Sequence, residues 1–420
     1  MSQAVQRPST WMAPLVTSLF FAWGFSTALN DILVPKLKAL FALNYTEVML
    51  TQFCFFAAYF LMSWPAAKII AKLGYMRGIV VGLVVMALGC LLFTPAARLG
   101  VYPLFLMALF TLATGITLLQ VAANPLMALA GSEETASSRL NFAQAFNSLG
   151  TTIAPLIGAA LILKNIAPAP DPHSLTPAAL GAFRSSQASV IQFSYLAIAG
   201  IFLFFALIFW LLRQKASAPA TDATPLGFAV LRRPQLAFGC VGIFVYVGAE
   251  VALSSLMINF LIQPHILDTT AEHAARYVSL YWGGAMVGRI IGSAALRFIR
   301  PGYALGACAL IAATLAATAG LTTGTVAAIA LVAIGLFNSI QFPTIFTLGI
   351  DGLDEETPQG SGLLCMAIVG GAIVPLLTGK LIDQFGFAPA LTLPVLCYLF
   401  IAGYGFWTAR RNTTPRATAK

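Results

Sequence analysis

Two carboxyl groups in this sequence lie inside long apolar segments, where ionised side chains are rare. They belong to Asp31, in the first such segment, and to Glu250, in the seventh. Near the centre of a lipid bilayer a charge costs on the order of 3 kcal/mol or more, so such residues are seldom kept without a role. Each carboxyl group could bind and release a proton or hold a cation. These two residues are the first candidates for chemistry.

Both carboxyl groups also have a structural interpretation. Asp31 is followed closely by Pro35 and Lys36, so it could be a helix-end carboxylate that is hydrogen-bonded for structure. Glu250 could form a fixed ion pair with Arg289, which lies in the eighth apolar segment. The sequence leaves open whether Glu250 carries a proton or is held by that arginine.

Neither metal binding nor enzymatic chemistry is indicated by the remaining reactive side chains. The histidines fall between the apolar segments, and the cysteines fall inside them without any CxxC pair. These residues are His173, His265, His273, Cys54, Cys90, Cys240, Cys308, Cys365 and Cys397. A membrane enzyme would need a nucleophile with its base, or metal ligands, within the segments. We therefore expect no catalytic residue, no metal and no cofactor, and a proton path that runs through carboxylates.

Amide side chains recur within the apolar segments at helical spacing. Asn141, Gln144 and Asn147 are three residues apart and would share one face of a helix. Substrates rich in hydroxyl groups need such partners, although an isolated amide in a helix bundle usually joins two helices. An aromatic ring could stack on the C–H face of a sugar, or contact lipid or the core instead. The candidate substrate-binding residues are Asn30, Gln52, Gln120, Asn124, Asn141, Gln144, Asn147, Tyr246, Asn259, Trp282, Asn338 and Gln341.

The elements that must position these residues follow from composition. Hydrophobic residues make up 59% of the chain and charged residues 9%, and the mean hydropathy is +0.87. A soluble domain needs about a quarter of its residues charged, so we predict an all-α membrane protein. Twelve segments are long enough to cross a bilayer, at residues 12–34, 48–67, 78–96, 102–128, 141–163, 189–212, 236–262, 277–296, 303–321, 325–349, 360–379 and 388–408.

The chain divides into two similar parts. A stretch rich in Ala, Pro, Thr and Arg at 213–235 separates a six-helix half at 1–212 from another at 236–420. The sequence at 152–162 matches that at 372–382, in the fifth segment of each half. Pseudo-symmetric halves are typical of transporters in which the halves rock around a substrate at the bilayer midplane. We therefore expect alternating access.

Proline and charge give two further predictions about the membrane segments. Pro125 and Pro343 lie inside the fourth and tenth segments, where they predict kinked or broken helices. Lys and Arg concentrate in loops on one side, which places both termini in the cytoplasm of a multi-pass protein of the cell inner membrane. The net charge of +9 is then a signal of topology and of contact with anionic lipid, with no nucleic acid implied. No cleaved leader is predicted at the N-terminus.

Three stretches resemble a known transporter group. They are FFAWGFSTALNDILVPK at 20–36, RLNFAQAFNSLG at 139–150 and SIQFPTIFTLGI at 339–350. They are similar to the fucose permease and glucose/galactose transporter group of the major facilitator superfamily. That resemblance implies twelve helices in two six-helix halves and symport of a sugar with a cation. Each chain would hold both halves of the site, so a monomer is expected.

The same resemblance assigns residue roles. It implies that Asp31 is the membrane carboxylate used in proton coupling and that Asn147 is an amide that contacts the sugar. Where the fucose permease has a glutamate before Ala-Ala-Asn-Pro, this chain has Gln120; Glu250 stands where the permease has glutamine. This pattern favours a hexose such as glucose, galactose or mannose over fucose. The coupling ion, proton or sodium, stays open at this point, and an uncoupled sugar facilitator and a multidrug exporter are the alternatives.

Overall fold

The computed structural model describes residues 12–41, 45–99, 101–158, 177–213 and 227–411. Within these ranges the side chains are described except at 29–41, 45–50, 52, 97–98, 155–158, 177–191, 194 and 271–272. Every regular element in the described ranges is a helix. The prediction of an all-α chain is therefore confirmed.

Six helices form the first part of the chain. They are α1 (Met12–Phe41), α2 (Tyr45–Leu73), α3 (Tyr75–Leu99), α4 (Tyr102–Leu129), α5 (Ala136–Gly158) and α6 (Pro177–Leu212). The turn between α2 and α3 is a single residue, Gly74, whose φ of 79° is left-handed. Glycine adopts this conformation without the steric cost that a Cβ would add, so the chain reverses sharply there.

Nine helices follow in the second part. They are α7 (Pro234–Leu261), α8 (Ala271–Ala295), α9 (Pro301–Leu321), α10 (Gly324–Asn338), α11 (Gln341–Ile350), α12 (Thr357–Met366), α13 (Gly370–Phe385), α14 (Phe387–Ala390) and α15 (Thr392–Arg411). Proline opens α7 and α9, where the fixed φ suits the first helical turn and no N–H is lost from the ladder. The Thr270 side chain caps α8 by accepting from the backbone N–H of His273.

Each of the twelve predicted segments contains helix, and the last three contain two helices apiece. Residues 159–163 of the fifth segment lie outside the described residues. Nine stretches of the described chain are long and apolar enough to cross a membrane. Helices α1, α5 and α8 are not among them, and all three carry residues proposed from the sequence for a polar site.

The contacts divide the chain into two compact units. The first contains Met1–Ala123 with Leu149–Ala223, and within it α3 packs along α6. The second contains Asn124–Ser148 with Thr224–Lys420. Within the second unit α7 packs on α13 and α11, and α10 packs on α8 and α9. The second unit therefore includes the first half of α5 as well as α7 to α15.

Helices α8 and α10 approach to backbone contact through glycine. A Cβ on Gly288 would lie 2.5 Å from the Leu336 carbonyl oxygen, and one on Gly335 would overlap the Tyr281 carbonyl oxygen. Real Cβ atoms do not come this close, so glycine at both positions permits the approach. This contact brings the end of α10 against the middle of α8.

The tenth segment is broken. Helix α10 ends at Asn338 and α11 begins at Gln341, just before Pro343. The predicted interruption is therefore confirmed at Pro343, whereas α4 runs through Pro125 without a break.

Candidate functional site

The break before Pro343 exposes backbone carbonyls that side chains satisfy. Proline has no N–H, so the Ser339 carbonyl lacks the donor that a continuous helix would supply. Arg289 Nε donates to it across 3.4 Å. The Tyr246 hydroxyl lies 3.1 Å from the neighbouring Asn338 carbonyl oxygen. In a membrane such groups must find partners within the protein, and α7 and α8 provide them here.

Two amide side chains at the same break are buried and hydrogen-bonded. Asn338 Nδ2 donates to the Tyr281 hydroxyl at 2.7 Å. Gln341 Nε2 reaches the Phe337 carbonyl oxygen at 3.1 Å and Asn338 Oδ1 at 3.2 Å. Gln341 Oε1 is buried with no hydrogen-bond partner among the described residues. One acceptor at the break is therefore left open.

Glu250 lies one turn beyond Tyr246 on α7. The Tyr246 hydroxyl donates to Glu250 Oε1 at 2.7 Å. Tyr246 is buried, with 1% of its surface exposed, whereas Glu250 is only partly buried. The carboxyl group is thus held by a hydrogen bond from a buried tyrosine one turn earlier on the same helix.

Arg289 influences Glu250 electrostatically and not through direct contact. The guanidinium charge is close enough to affect the carboxyl group. Between these two described side chains, however, no nitrogen–oxygen distance is 4.0 Å or less. Glu250 and Arg289 therefore do not form a direct ion pair in this conformation. Arg289 donates its hydrogen bonds to other residues instead.

We call this group the break cluster. It is formed by Tyr246 and Glu250 on α7, Tyr281 and Arg289 on α8, Asn338 on α10 and Gln341 on α11. The cluster combines a carboxyl group, a guanidinium, two amides and two hydroxyls inside an apolar unit. Such a set can bind a proton and present hydrogen-bonding groups to a polar ligand.

Polar contacts also join α5 to α8, and we call them the α5–α8 seam. Ser138 Oγ donates to the Ser293 carbonyl oxygen at 2.6 Å, and Ser293 Oγ donates back to the Ser138 carbonyl oxygen at 3.2 Å. Asn141 Nδ2 donates to the Arg289 carbonyl oxygen at 2.7 Å, and Arg289 Nη1 donates to Ser148 Oγ. Arg289 therefore belongs to both the seam and the break cluster.

In the first unit, Gln120 is held by a tyrosine. Its Nε2 donates to the Tyr59 hydroxyl at 2.7 Å, and both side chains are buried. An amide cannot release a proton, so this pair is a neutral hydrogen bond inside the unit.

The other proposed amides occupy different environments. Asn124 is fully buried, and neither of its amide atoms has a partner among the described residues. Gln144 is buried and Asn147 is partly exposed. Asn259 is exposed near the end of α7, nine residues from Glu250, which corresponds to about 13 Å along the helix. Asn259 is therefore not part of the break cluster.

Trp282 lies beside the cluster without joining it. Its ring meets that of Tyr281 edge-on at 5.3 Å, and 40% of the residue is exposed. The two neighbours point to different sides of α8, with Tyr281 fully buried. Trp282 presents an accessible aromatic surface.

For three proposed site residues the structure describes the backbone and not the side chain. The backbone of Asn30 and Asp31 belongs to α1, and that of Gln52 to α2. Their proposed roles therefore rest on the sequence.

Several site residues escaped the sequence analysis. The serines of the seam were not singled out, because a serine within a helix usually bonds its own preceding turn. Their spacing held a signal, since Ser138 precedes Asn141 by three residues and Ser293 follows Arg289 by four. Tyr281, which directly precedes the predicted Trp282, was not predicted either. No group of three or more potential metal ligands occurs in the described part of the chain.

Sequence similarity shows the family of this chain. The model of the Major Facilitator Superfamily matches residues 15–367. This chain belongs to the Major Facilitator Superfamily. The apolar helices are consequently the spans of a multi-pass membrane transporter.

Two curated relatives cover almost the whole chain. A glucose/galactose transporter of Brucella abortus biovar 1 (strain 9-941) is 51% identical over 93% of this chain and 92% of its own length. An L-fucose-proton symporter of Escherichia coli (strain K12) is 37% identical over 92% of this chain and 90% of its own length. The resemblance found in the sequence is confirmed.

Solved structures give the same fold. A crystal structure of FucP, a superfamily transporter, in the outward conformation matches with a TM-score of 0.86 and 36% identity, covering 94% of this chain and 98% of that one. The human organic anion transporter MFSD10 matches with a TM-score of 0.66 at 14% identity, covering 96% of this chain and 100% of that one, which shows the fold alone. The twelve-helix fold of the superfamily is therefore established for this chain.

Proposed function

We propose that this chain is a secondary active importer of a hexose, of the glucose, galactose or mannose type, driven by entry of a proton. The observation that carries the proposal is the 2.7 Å hydrogen bond from Tyr246 to Glu250, beside the amides of a broken helix. A carboxyl group fixed in this way inside an apolar unit is suited to exchange a proton during a transport cycle.

The amides support a substrate rich in hydroxyl groups. Gln341 Oε1, Asn141 Oδ1 and both amide atoms of Asn124 are buried without partners among the described residues. Buried polar atoms are normally hydrogen-bonded, so these positions are available to water or to a ligand. A monosaccharide presents hydroxyl donors and acceptors around its whole ring and suits such a lining. The exposed ring of Trp282 adds an apolar face for its C–H groups.

The choice of hexose over fucose rests on two positions. Gln120 replaces the glutamate of the fucose permease pattern, and its amide, which has no titratable proton, donates to the Tyr59 hydroxyl. Glu250 stands where that pattern has glutamine. The relative at 51% identity is named as a glucose/galactose transporter, which supports the same substrate class.

Coupling is assigned to Asp31 and Glu250. One positive charge that enters with the sugar contributes about 2.3 kcal/mol per 100 mV of membrane potential. That energy supports roughly fifty-fold accumulation of a neutral sugar without any pH gradient. A single usable carboxyl group is sufficient for this stoichiometry.

The transport cycle would alternate access between the halves at 1–212 and 236–420, which the cytoplasmic linker at 213–235 connects. We place the protein in the cell inner membrane as a monomer with both termini in the cytoplasm, because its basic loops favour that side. No cofactor is required by this mechanism.

Uptake into proteoliposomes tests the proposal. Radiolabelled glucose, galactose, mannose and fucose would be offered under imposed proton or sodium gradients. Wild type should accumulate one hexose under a proton gradient, whereas Asp31→Asn and Glu250→Gln should exchange sugar without accumulating it. The exposed Glu355→Gln serves as control and should behave as wild type. Accumulation driven only by sodium would overturn the choice of ion, equilibration without accumulation would overturn coupling, and no sugar movement would overturn the substrate class.

A further inference from the structure

The Tyr246 hydroxyl has one proton and two acceptors. Glu250 Oε1 lies 2.7 Å from it and the Asn338 carbonyl oxygen lies 3.1 Å from it. A phenol donates a single hydrogen bond and accepts others through its oxygen. The hydroxyl therefore satisfies the carboxyl group or the carbonyl at the helix break, but it cannot donate fully to both.

The protonation state of Glu250 decides between these acceptors. An ionised carboxylate only accepts, so Tyr246 must donate to it, and the Asn338 carbonyl is left without this donor. A protonated carboxyl group carries its own O–H and can donate to the Tyr246 oxygen. The Tyr246 proton is then free to turn to the Asn338 carbonyl. The only covalent change is the binding of one proton by the Glu250 carboxylate.

We propose that Tyr246 is a positioning residue that reports the protonation of Glu250 to the break between α10 and α11. With Glu250 protonated, the Asn338 carbonyl gains a donor and the break is held to α7. With Glu250 ionised, that tie is released. In this role both hydrogen bonds of the Tyr246 hydroxyl are made within the protein. A tyrosine that is 1% exposed suits this role better than direct contact with a sugar.

The break connects onward to α8 and α5. The carbonyl after that of Asn338 is that of Ser339, which accepts from Arg289 Nε. Arg289 also donates to Ser148 on α5, and its own carbonyl accepts from Asn141. A shift of the break therefore reaches the α5–α8 seam through one side chain.

The other groups around Glu250 leave Tyr246 as its hydrogen-bond partner. Arg289 on α8 acts on the carboxyl group through its charge. Tyr281 on α8 and Tyr398 on α15 are within electrostatic range of it. Tyr281 accepts from Asn338 Nδ2 and has no hydrogen bond to Glu250 among the described residues. In the described part of the chain, only Tyr246 is hydrogen-bonded both to Glu250 and to the break.

This inference rests on the proposed function only in taking Glu250 as a proton carrier, and its test needs no sugar. Infrared difference spectra of the full-length protein in lipid would be recorded across a pH titration. The carboxylic C=O band reports protonation of Glu250, and the tyrosine C–O band reports whether a hydroxyl donates or accepts. In wild type we expect both bands to change with one midpoint.

Variants separate the switch from general damage. Glu250→Gln should abolish the tyrosine change together with the Glu250 component of the carboxylic band, because a neutral amide replaces the titrating group; other carboxyl groups, Asp31 among them, still titrate. Tyr246→Phe should abolish the tyrosine change while the carboxylic band still titrates, with its midpoint moved. Tyr303→Phe removes the same atom from a side chain that is 41% exposed and should leave both bands as in wild type.

Three outcomes would overturn the inference: a carboxylic band that titrates without a tyrosine change, a tyrosine change that survives in Tyr246→Phe, or no titrating carboxyl group at Glu250. The first two would leave proton-driven uptake untouched, so they are distinguishable from failure of the proposed function. Should Tyr246→Phe fail to fold, the paired loss of the tyrosine change and of the Glu250 component in Glu250→Gln still tests the inference.

Discussion

Arg289 Nε donates to the Ser339 carbonyl oxygen at 3.4 Å, at the position where Pro343 leaves the helix ladder without a donor. The same guanidinium donates to Ser148 on α5. Arg289, which the sequence suggested as an ion-pair partner for Glu250, thus donates to one backbone carbonyl at the break and to one side chain on α5. Its charge reaches Glu250 without contact.

Arg289→Ala should destabilise the protein by about 2 kcal/mol or more, because buried acceptors lose charged donors. Arg289→Lys should lose less, since the ammonium keeps the charge but not the forked geometry. Unfolding by denaturant in detergent measures both. Equal stability of wild type and Arg289→Ala would contradict the role given to this side chain at the break.

Gly335→Ala should destabilise by about 1 to 3 kcal/mol, because the added methyl group would overlap the Tyr281 carbonyl of α8. Gly403→Ala is the matched control, as no atom lies within 4 Å of its built Cβ. That control should be neutral or slightly stabilising, since alanine favours helix over glycine. Similar thermal stability for the two variants would mean that α8 and α10 are not in backbone contact.

The α5–α8 seam should be capable of locking the transporter. Ser138 and Ser293 exchange hydrogen bonds with each other's carbonyl groups, so cysteines at both positions lie close together. In a background without the native cysteines, we expect a mild oxidant to stop sugar uptake by the double variant and a reductant to restore it. Each single variant should be insensitive. Unchanged uptake after cross-linking, verified by mass spectrometry, would show that the seam does not separate during the cycle.

Gln120→Glu should make sugar exchange depend on pH in a new range. It places a titratable carboxyl group beside the Tyr59 hydroxyl, where wild type has a neutral amide at 2.7 Å. As the pH rises the carboxyl group ionises, and Tyr59 would then donate to it rather than accept. The pH profile of counterflow in proteoliposomes measures the effect. A profile identical to that of wild type would show that this pair does not influence transport.

The fold could be predicted from the sequence because the sequence signals that specify it are local. Apolar length marks each span, and the missing N–H of Pro343 predicts the break in the tenth. At Pro125 the same signal did not interrupt α4, because a proline within a membrane helix can be accommodated by local adjustment and neighbouring groups.

The site could be predicted only in part from the sequence. Spacing along a helix shows which residues share a face, but not which helix packs against that face. Asn141 and Asn147 share a predicted face, yet Asn141 binds an α8 carbonyl while Asn147 is partly exposed. Asn259 is on the same helix as Glu250 but lies exposed near its end. Tyr246 and Arg289 donate to the carbonyls of a broken helix. These hydrogen bonds depend on tertiary contacts, which no local sequence pattern predicts.

If a sugar and a proton enter together, adding the sugar must by itself drive proton uptake. Glucose or galactose would be added to lightly buffered proteoliposomes without any imposed gradient, with a short-circuited membrane potential, while the external pH is recorded. We predict that the medium becomes alkaline with wild type and not with Glu250→Gln, while labelled sugar still exchanges in both. Entry of sugar into wild-type vesicles with no change in external pH would show that the sugar enters without a proton.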